Sequence, residues 1–369
     1  MRIKVHDTHS EIPLERSQWN ALAGQGPTRT VFQTHEWASA WWSTFGHRHR
    51  LLHLDFETLD NVPAGFACLM TSAADGDGDR WHILADANSD YCDIPIGGNR
   101  FAGLEALVKF FARDFVGWET LSLMNIPEQS VTLAALTTLC ARHGLWLHSS
   151  RRITAPKLRF AADGGDVEIK YSVRRHHNRL ERLGELEFRV LREARELPRL
   201  LGVLFEQHVA RYRLKGERSL FEDVLFRRFY ERLAFEMLEA GWLHFSELCL
   251  DGKPIAVHFG FEYRNILTWY KPAFDVAYQR YSPGTVLIKH LIDDAKTRHL
   301  DELDFTIGDE AFKARFSNVV SYNRNVVIYK RRPSAYLHAL REHTMSVGKR
   351  IVALSGKVHV PSQRRHPHP

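Results

Sequence analysis

The chain has 369 residues, of which 44% are hydrophobic and 25% charged, and its formal net charge is +6. This length exceeds one ordinary hydrophobic core and predicts two domains, while the composition excludes a disordered or fibrous protein. No apolar run approaches the roughly 18 residues of a membrane-spanning helix, and the first residues lack a secretory signal, so we expect a cytoplasmic protein.

The positive charge is concentrated at the end of the chain. From Arg331 onward there are eight basic residues and one acid, which leaves the rest of the chain nearly neutral. We expect a solvated basic tail over 332–369, with weak contact to anionic lipid, RNA or a partner as the alternative. We expect no DNA partner.

The first half predicts a mixed α/β order. A helix begins after Thr34, a plausible N-cap, and ends near Gly46. The remaining elements are predicted from periodicity and turn residues. They are strands at 51–58, 64–71 and 81–85, a helix from 104, a strand at 118–125, a helix at 131–142 and a strand at 145–160.

The second half follows an exposed junction at 161–165. A basic helix at 171–184 carries arginines that form either a solvated face or contacts to a bound anion. Short turns at 251–253 and 264–265 predict an antiparallel meander of three strands. The predicted elements are helices at 197–212 and 224–240, strands at 242–250, 254–263 and 266–273, a helix at 285–298, and strands at 302–307 and 319–329.

Several classes of protein lack their motifs here. There is no Gly-x-Gly-x-x-Gly after a strand, no P-loop and no Gly-x-Ser-x-Gly, so dinucleotide, NTPase and α/β-hydrolase sites are not predicted. The four cysteines are scattered and the 21 histidines show no paired ligand spacing, so no metal site is expected.

Four segments carry a resemblance to a known family. In the second half they are SPGTVLIKHLIDDAKTRHLDELDFTIGDEAFKARF at 282–316 and LFEQHVARYRLKG at 204–216, and in the first half FQTHEWASAWWSTFG and SDYCDIPI. They resemble the GNAT superfamily, specifically the CelD-type acetyltransferases associated with cellulose biosynthesis. More distantly, the chain is similar to Fem-type proteins, which move an amino acid from aminoacyl-tRNA and share a layout of two GNAT domains.

The resemblance implies a fold and a domain division. We expect an α/β (mixed α+β) chain with two GNAT-like domains, each a mixed, largely antiparallel sheet flanked by helices. The domains are a GNAT-like domain over 1–165 and a GNAT acyltransferase domain over 166–331, followed by the basic tail. The implied co-substrate is acetyl-CoA or another acyl-CoA.

A loop before the helix at 285–298 is the candidate donor site. Free amides at a helix N-terminus bind phosphate, so we expect the acyl-CoA diphosphate at Gln279, Arg280, Ser282, Gly284 and Thr285. Serine replaces the first glycine of the superfamily loop, and Pro283 removes one amide. The alternative is a turn and helix start without a ligand.

Acyl transfer needs a base for the nucleophile and often an acid for the leaving thiolate. We assign the base to Glu310, with Asp304 at a strand end as a further catalytic candidate and Tyr281 as the acid. The alternatives are ordinary: an acid in a first helical turn is favoured by the helix dipole, and Tyr281 equally suits packing.

Four residues are candidates for holding the acceptor. Lys313 is predicted either to bind an anionic group of the acceptor or to pair with Asp309. His208 and Arg211 lie one turn apart on the helix at 197–212. His208 equally suits a satisfied core histidine. In the first half, Asp90, Tyr91 and Asp93 belong to a segment that forms either a wall of an acceptor cleft between the two halves or a plain loop.

The sequence is compatible with three functions. The leading one is an N- or O-acyltransferase that acts on an unidentified amine or hydroxyl, for example a small molecule or a saccharide in polysaccharide or envelope synthesis. The alternatives are a Fem-like transferase, which alone would bind tRNA, and a catalytically silent GNAT-like scaffold.

Overall fold

The structure is a computed structural model that describes residues 1–8, 12–72, 79–160 and 171–330. The predicted junction at 161–165 and the basic tail at 332–369 lie outside the described residues. Among the helices in these ranges, none combines the length and apolar character needed to cross a membrane.

In the part of the first half that the structure describes there are seven strands and four α-helices. The strands are β1 Arg2–Thr8, β2 His49–Glu57, β3 Pro63–Ser72, β4 Arg80–Ile83, β5 Thr120–Pro127, β6 Trp146–Ser149 and β7 Ile153–Arg159. The helices are α1 Arg16–Ala23, α2 His35–Phe45, α3 Arg100–Lys109 and α4 Val131–Arg142. Helix α2 begins as predicted, because the Thr34 hydroxyl accepts a hydrogen bond from the Trp37 amide.

The second half contains six strands and five α-helices within the described ranges. The strands are β8 Leu186–Val190, β9 Leu243–Leu250, β10 Lys253–Tyr263, β11 Ile266–Phe274, β12 Glu302–Asp304 and β13 Val319–Tyr329. The helices are α5 Tyr171–Glu181, α6 Leu197–Leu214, α7 Val224–Glu239, α8 Pro283–Thr297 and α9 Lys313–Phe316.

The predicted meander of β9, β10 and β11 is confirmed. Both of its turns have positive φ at their two central residues, Asp251 and Gly252 in one, Arg264 and Asn265 in the other. These angles fit two-residue hairpin loops, whose twist matches that of the flanking strands. The resulting pairs are antiparallel throughout.

The predicted fold class is confirmed, but the two halves share one sheet. The strand order is β1-β2-β3-β4-β5-β13-β7-β12-β11-β10-β9-β8, with β6 also paired to β13. Among the described strands, only the pairs β4–β5 and β11–β12 are parallel. The halves exchange strands here, since β7 pairs with β12 of the second half and β13 pairs with β5 of the first. Each half therefore completes the sheet of the other.

One hydrophobic core also crosses between the halves. Trp37 of α2 is fully buried and meets the rings of Phe229 of α7 and Phe261 of β10 edge to face. Such aromatic contacts add to the free energy of burying the rings. The cleft between the halves therefore has rigid walls.

Three elements were not predicted and two predicted strands differ in extent. The elements that were not predicted are β1, α1 and β8, although β8 alternates apolar and charged residues as a strand does. The single strand expected at 145–160 is broken into β6 and β7. Strand β12 ends at Asp304 instead of 307, because the backbone turns to a positive φ at Thr306.

Candidate functional site

Two parallel strands separate at the centre of the second half. Strands β11 and β12 pair only over Ile266–Thr268 and Glu302–Asp304. Beyond Thr268, β11 continues to Phe274 without β12, and the chain after Asp304 bends away. The separation opens a gap that exposes the edge of β11.

Helix α8 begins at this gap. It starts at Pro283, two residues before the predicted start at 285, and Ser282 before it adopts a left-handed conformation with φ of 56°. A Cβ placed on Gly284 meets only Cδ1 of Phe274, at an ordinary 3.6 Å. Packing within the protein therefore does not require glycine at 284, and the missing side chain leaves the first turn of the helix open to a ligand.

The gap and the helix N-terminus line one cavity of about 570 Å³. It brings together eight of the residues predicted from the sequence: Gln279, Ser282, Gly284, Thr285, Glu310, Lys313, His208 and Arg211. The cavity also has an apolar wall that includes Trp269, Phe274 and Ile288. A site with apolar walls and a few convergent polar groups is typical of small-molecule binding.

Four predicted residues lie outside this lining. Arg280 donates a hydrogen bond to the hydroxyl oxygen of Tyr281 at 2.7 Å and packs over its ring. The two side chains therefore contact each other. Asp304 belongs to a separate buried network. Asp309 is exposed and does not pair with Lys313, because the helical turn expected at 309–313 begins only at Lys313.

Lys313 pairs instead with Glu310. Its Nζ lies 3.0 Å from a Glu310 carboxylate oxygen and donates to the Ile307 carbonyl at 2.6 Å. The Lys313 side chain is 5% exposed and that of Glu310 is 56% exposed. Glu310 is therefore a largely solvated carboxylate that is paired with a buried amine.

The buried network of Asp304 ties the halves together. Its carboxylate accepts hydrogen bonds from the Tyr91 hydroxyl at 2.7 Å and the Thr306 amide at 2.7 Å, and it pairs with Lys157 at 2.8 Å. Burial alone would lower the Lys157 pKa, but Asp304 and Glu302 outweigh it and raise that pKa. These residues border a second cavity of about 370 Å³ at the junction of the halves.

Asp90 comes from the first half and lines the main cavity. Its segment is anchored at nearly every residue by hydrogen bonds to other elements. The carbonyls of Asn88, Ser89 and Asp90 accept from Tyr270, Asn125 and Asn323, the Tyr91 hydroxyl donates to Asp304, and Asp93 accepts from Thr28 and Ser130. The backbone therefore presents the Asp90 carboxyl in a fixed place.

The proton affinities of Asp90 and Lys271 both depart from their usual values. Burial raises the pKa of the Asp90 carboxyl. The charge of Lys271, a hydrogen bond with Thr306 and the charge of Lys313 act in the opposite direction and lower it. Burial lowers the pKa of the Lys271 amine, with Asp90 opposing and Lys313 adding to the effect. Shifts of this kind cluster at functional sites.

Sequence reasoning missed Lys271 and named Asp90 only as a residue of the cleft wall. Lys271 lies in a strand with no motif around it, and only the separation of β11 from β12 places it in the cavity. The sequence signal for Asp90 was its place in SDYCDIPI, one of the segments that resemble the GNAT family. Its role as part of the second half's cavity depends on contacts between the halves.

His208 is a buried, neutral histidine at the cavity edge. It is 3% exposed, stacks on Tyr212, and its Nδ1 lies 2.8 Å from the Ser219 hydroxyl oxygen. That oxygen accepts from the Phe221 amide, so the hydroxyl proton is free to point at Nδ1. Burial, with nearby Arg211, lowers the His208 pKa to about 3. His208 is therefore unprotonated at neutral pH.

The low pKa of His208 predicts a pH dependence of folding. A folded pKa below the unfolded value means that the unfolded state binds the proton more tightly, so stability falls as pH falls from about 6.5 towards 3. We expect the stability difference between the parent chain and His208→Gln to shrink steadily over that interval. Urea unfolding at several pH values measures it, and a constant difference contradicts a neutral His208.

Comparisons with known proteins agree with this geometry. Residues 168–314 match a family model described as an acetyltransferase (GNAT) domain. No curated protein matches the chain. Among solved structures it is similar to FemX, at 11% identity and a TM-score of 0.63, over 88% of this chain and 98% of FemX.

Two further structures have a similar fold. L-PGS from Bacillus licheniformis is 12% identical, with a TM-score of 0.53 over 92% of this chain and 97% of its own. The C-terminal domain of a putative lysylphosphatidylglycerol synthetase from Agrobacterium fabrum is 14% identical, with a TM-score of 0.52 over 89% and 96%. Residues 168–314 thus match a GNAT acetyltransferase domain, and the chain shares its fold with these three proteins over most of its length.

Proposed function

We propose that this chain is an acyl-CoA-dependent acyltransferase whose donor site is the cavity at the start of α8. The observation that carries the proposal is the coincidence of three features in one cavity. They are the gap between β11 and β12, the open first turn of α8, and the match of this region to the GNAT domain. The CelD-type assignment and a role in polysaccharide or envelope synthesis remain predictions.

The donor fits the cavity in three parts. The diphosphate lies at the first turn of α8, near Gln279, Ser282, Gly284 and Thr285. Arg211 strengthens this end, because its guanidinium lies 5.5 Å from the centre of the Phe274 ring, the ring that also borders Gly284. Its Nε is buried without a partner among the described residues. The pantetheine arm enters the gap, which brings the thioester to the exposed edge of β11.

The acceptor is an amine or hydroxyl that reaches the thioester from the cleft between the halves. Its nitrogen or oxygen attacks the carbonyl carbon, the C–S bond breaks, and CoA leaves as the thiolate. We assign the nucleophile's proton to Asp90, since this carboxyl lines the cavity from the first half and burial raises its pKa.

An aminoacyl-tRNA-dependent transferase is the second candidate. The observation that favours it is Pro283 in the first turn of α8, which removes one of the amides that a diphosphate needs. The fold similarity to FemX is compatible with it. Because tRNA binding depends on many phosphate contacts, it should weaken steeply with salt.

Ligand-induced stabilisation separates the two candidates. We expect acetyl-CoA at about 100 times its dissociation constant to raise the free energy of unfolding by about 2.7 kcal/mol. Thermal unfolding with acetyl-CoA, with longer acyl-CoAs and with aminoacyl-tRNA, each at low and moderate salt, measures the effect. Stabilisation by aminoacyl-tRNA alone supports the second candidate, and no response to any CoA contradicts the first.

A further inference from the structure

Lys271 is an amine in the donor cavity that the transfer reaction leaves unused. It lies on β11 three residues beyond Thr268, the last residue paired with β12, and its side chain lines the cavity. The edge of β11 exposed there is the one along which the pantetheine arm would lie. Lys271 is therefore on the path of the thioester.

The cavity holds a second lysine whose amine is fully engaged. Nζ of Lys313 pairs with Glu310 and donates to the Ile307 carbonyl. Lys271 has neither kind of partner among the described residues. Its Nζ lies over the ring of the adjacent Tyr270, 4.4 Å from the ring centre. Of these two amines, only that of Lys271 is free to turn towards a ligand.

We propose that Lys271 is a self-acylation site, which takes the acyl group from bound acyl-CoA when no acceptor occupies the cleft. This inference rests on the proposed donor site. Nζ attacks the thioester carbonyl carbon, a C–N amide bond forms, and the C–S bond breaks. The amine proton passes to Asp90, and CoA leaves as the thiolate and takes up a proton from solvent.

The charges around Lys271 favour this chemistry. Asp90 from the first half and Glu310 face it, as do Lys313 and, on α6, His208. Burial and Lys313 lower the pKa of the amine, so more of it is the unprotonated nucleophile near neutral pH. Acylation removes the positive charge and adds an acyl group inside the cavity, so the modified chain should bind acyl-CoA less tightly.

The experiment incubates the full chain with isotopically labelled acetyl-CoA and maps acetyl-lysine by peptide mass spectrometry. We expect Lys271 to be modified at least about tenfold faster than the other lysines, Lys313 included, because a bound thioester acts at high effective concentration. The preference should disappear in urea and in the presence of excess CoA. The Lys271→Arg variant, which keeps the charge, should lose this modification while still binding CoA.

The same samples separate the two proposals. Stabilisation by CoA without preferential labelling of Lys271 overturns self-acylation and leaves the donor site in place. If CoA neither stabilises the chain nor labels Lys271 preferentially, both proposals are overturned. Equal labelling of Lys271 in the folded and the urea-treated chain also overturns self-acylation, since it shows that the cavity contributes nothing.

Discussion

The Gly284→Asp variant should lose acyl-CoA binding while the protein stays folded. The carboxylate would enter the first turn of α8, where the cavity is open and the added Cβ meets only Phe274 at 3.6 Å. At about 4 Å from a phosphate charge, with an effective dielectric constant of about 20, the repulsion is about 4 kcal/mol. We therefore expect affinity for acetyl-CoA to fall at least about a hundredfold.

Stability should change little, because an acid in a first helical turn interacts favourably with the helix dipole. The matched control is Gly202→Asp in α6, another helical glycine with no atom within 4 Å of an added Cβ and no place in the cavity lining. Calorimetric titration of both variants with acetyl-CoA measures the difference. Equal affinities for the two variants place the donor somewhere else.

The Lys157→Met variant should lose about 3–5 kcal/mol of stability. The Lys157 side chain is 14% exposed and pairs with Glu302 at 2.7 Å and with Asp304 at 2.8 Å. Its removal leaves buried Asp304 without its charge partner and Glu302 with only the exposed Arg159, at the place where β7 of the first half enters the sheet of the second. The loss should therefore affect both halves together.

The matched control is Arg159→Met, two residues along the same strand. Arg159 pairs with the same Glu302 at 3.0 Å, but its side chain is 62% exposed, so we expect a loss of no more than about 1 kcal/mol. Guanidinium unfolding followed by circular dichroism compares the two variants. Similar losses would show that the Lys157 network does not join the halves energetically.

The sequence predicted the second half well because its signals are local. Turn residues with positive φ fix the meander of β9 to β11, and the proline and glycine at 283 and 284 mark the start of α8. Both depend on the conformational preferences of a few neighbouring residues. The same is true of α2, whose N-cap at Thr34 is visible in the sequence.

The remaining features depend on contacts between distant residues. No local pattern predicts that β7 and β13 exchange between the halves, since either strand could pair within its own half. The exchange places Asp304 beside Lys157 and Tyr91, away from the donor cavity, although its position at a strand end had made it a catalytic candidate. Tyr281 was predicted as the acid because it precedes the loop, but its hydroxyl oxygen accepts a hydrogen bond from Arg280.

Asp90 and Lys271 illustrate the same limit. They are separated by about half the chain and meet only because the segment around Asp90 is bonded to β5, β11 and β13. Their shifted pKa values follow from burial in a cavity that neither half forms alone. A search for motifs within one half cannot find such a pair.

A crystal structure of the chain with bound acetyl-CoA would show whether the diphosphate lies at the first turn of α8 and the pantetheine arm in the gap between β11 and β12. We expect the diphosphate beside Gly284 and the thioester within reach of Asp90 and Lys271. Acetyl-CoA bound in the smaller cavity beside Lys157, or a gap that stays unoccupied at saturating acetyl-CoA, would contradict this expectation.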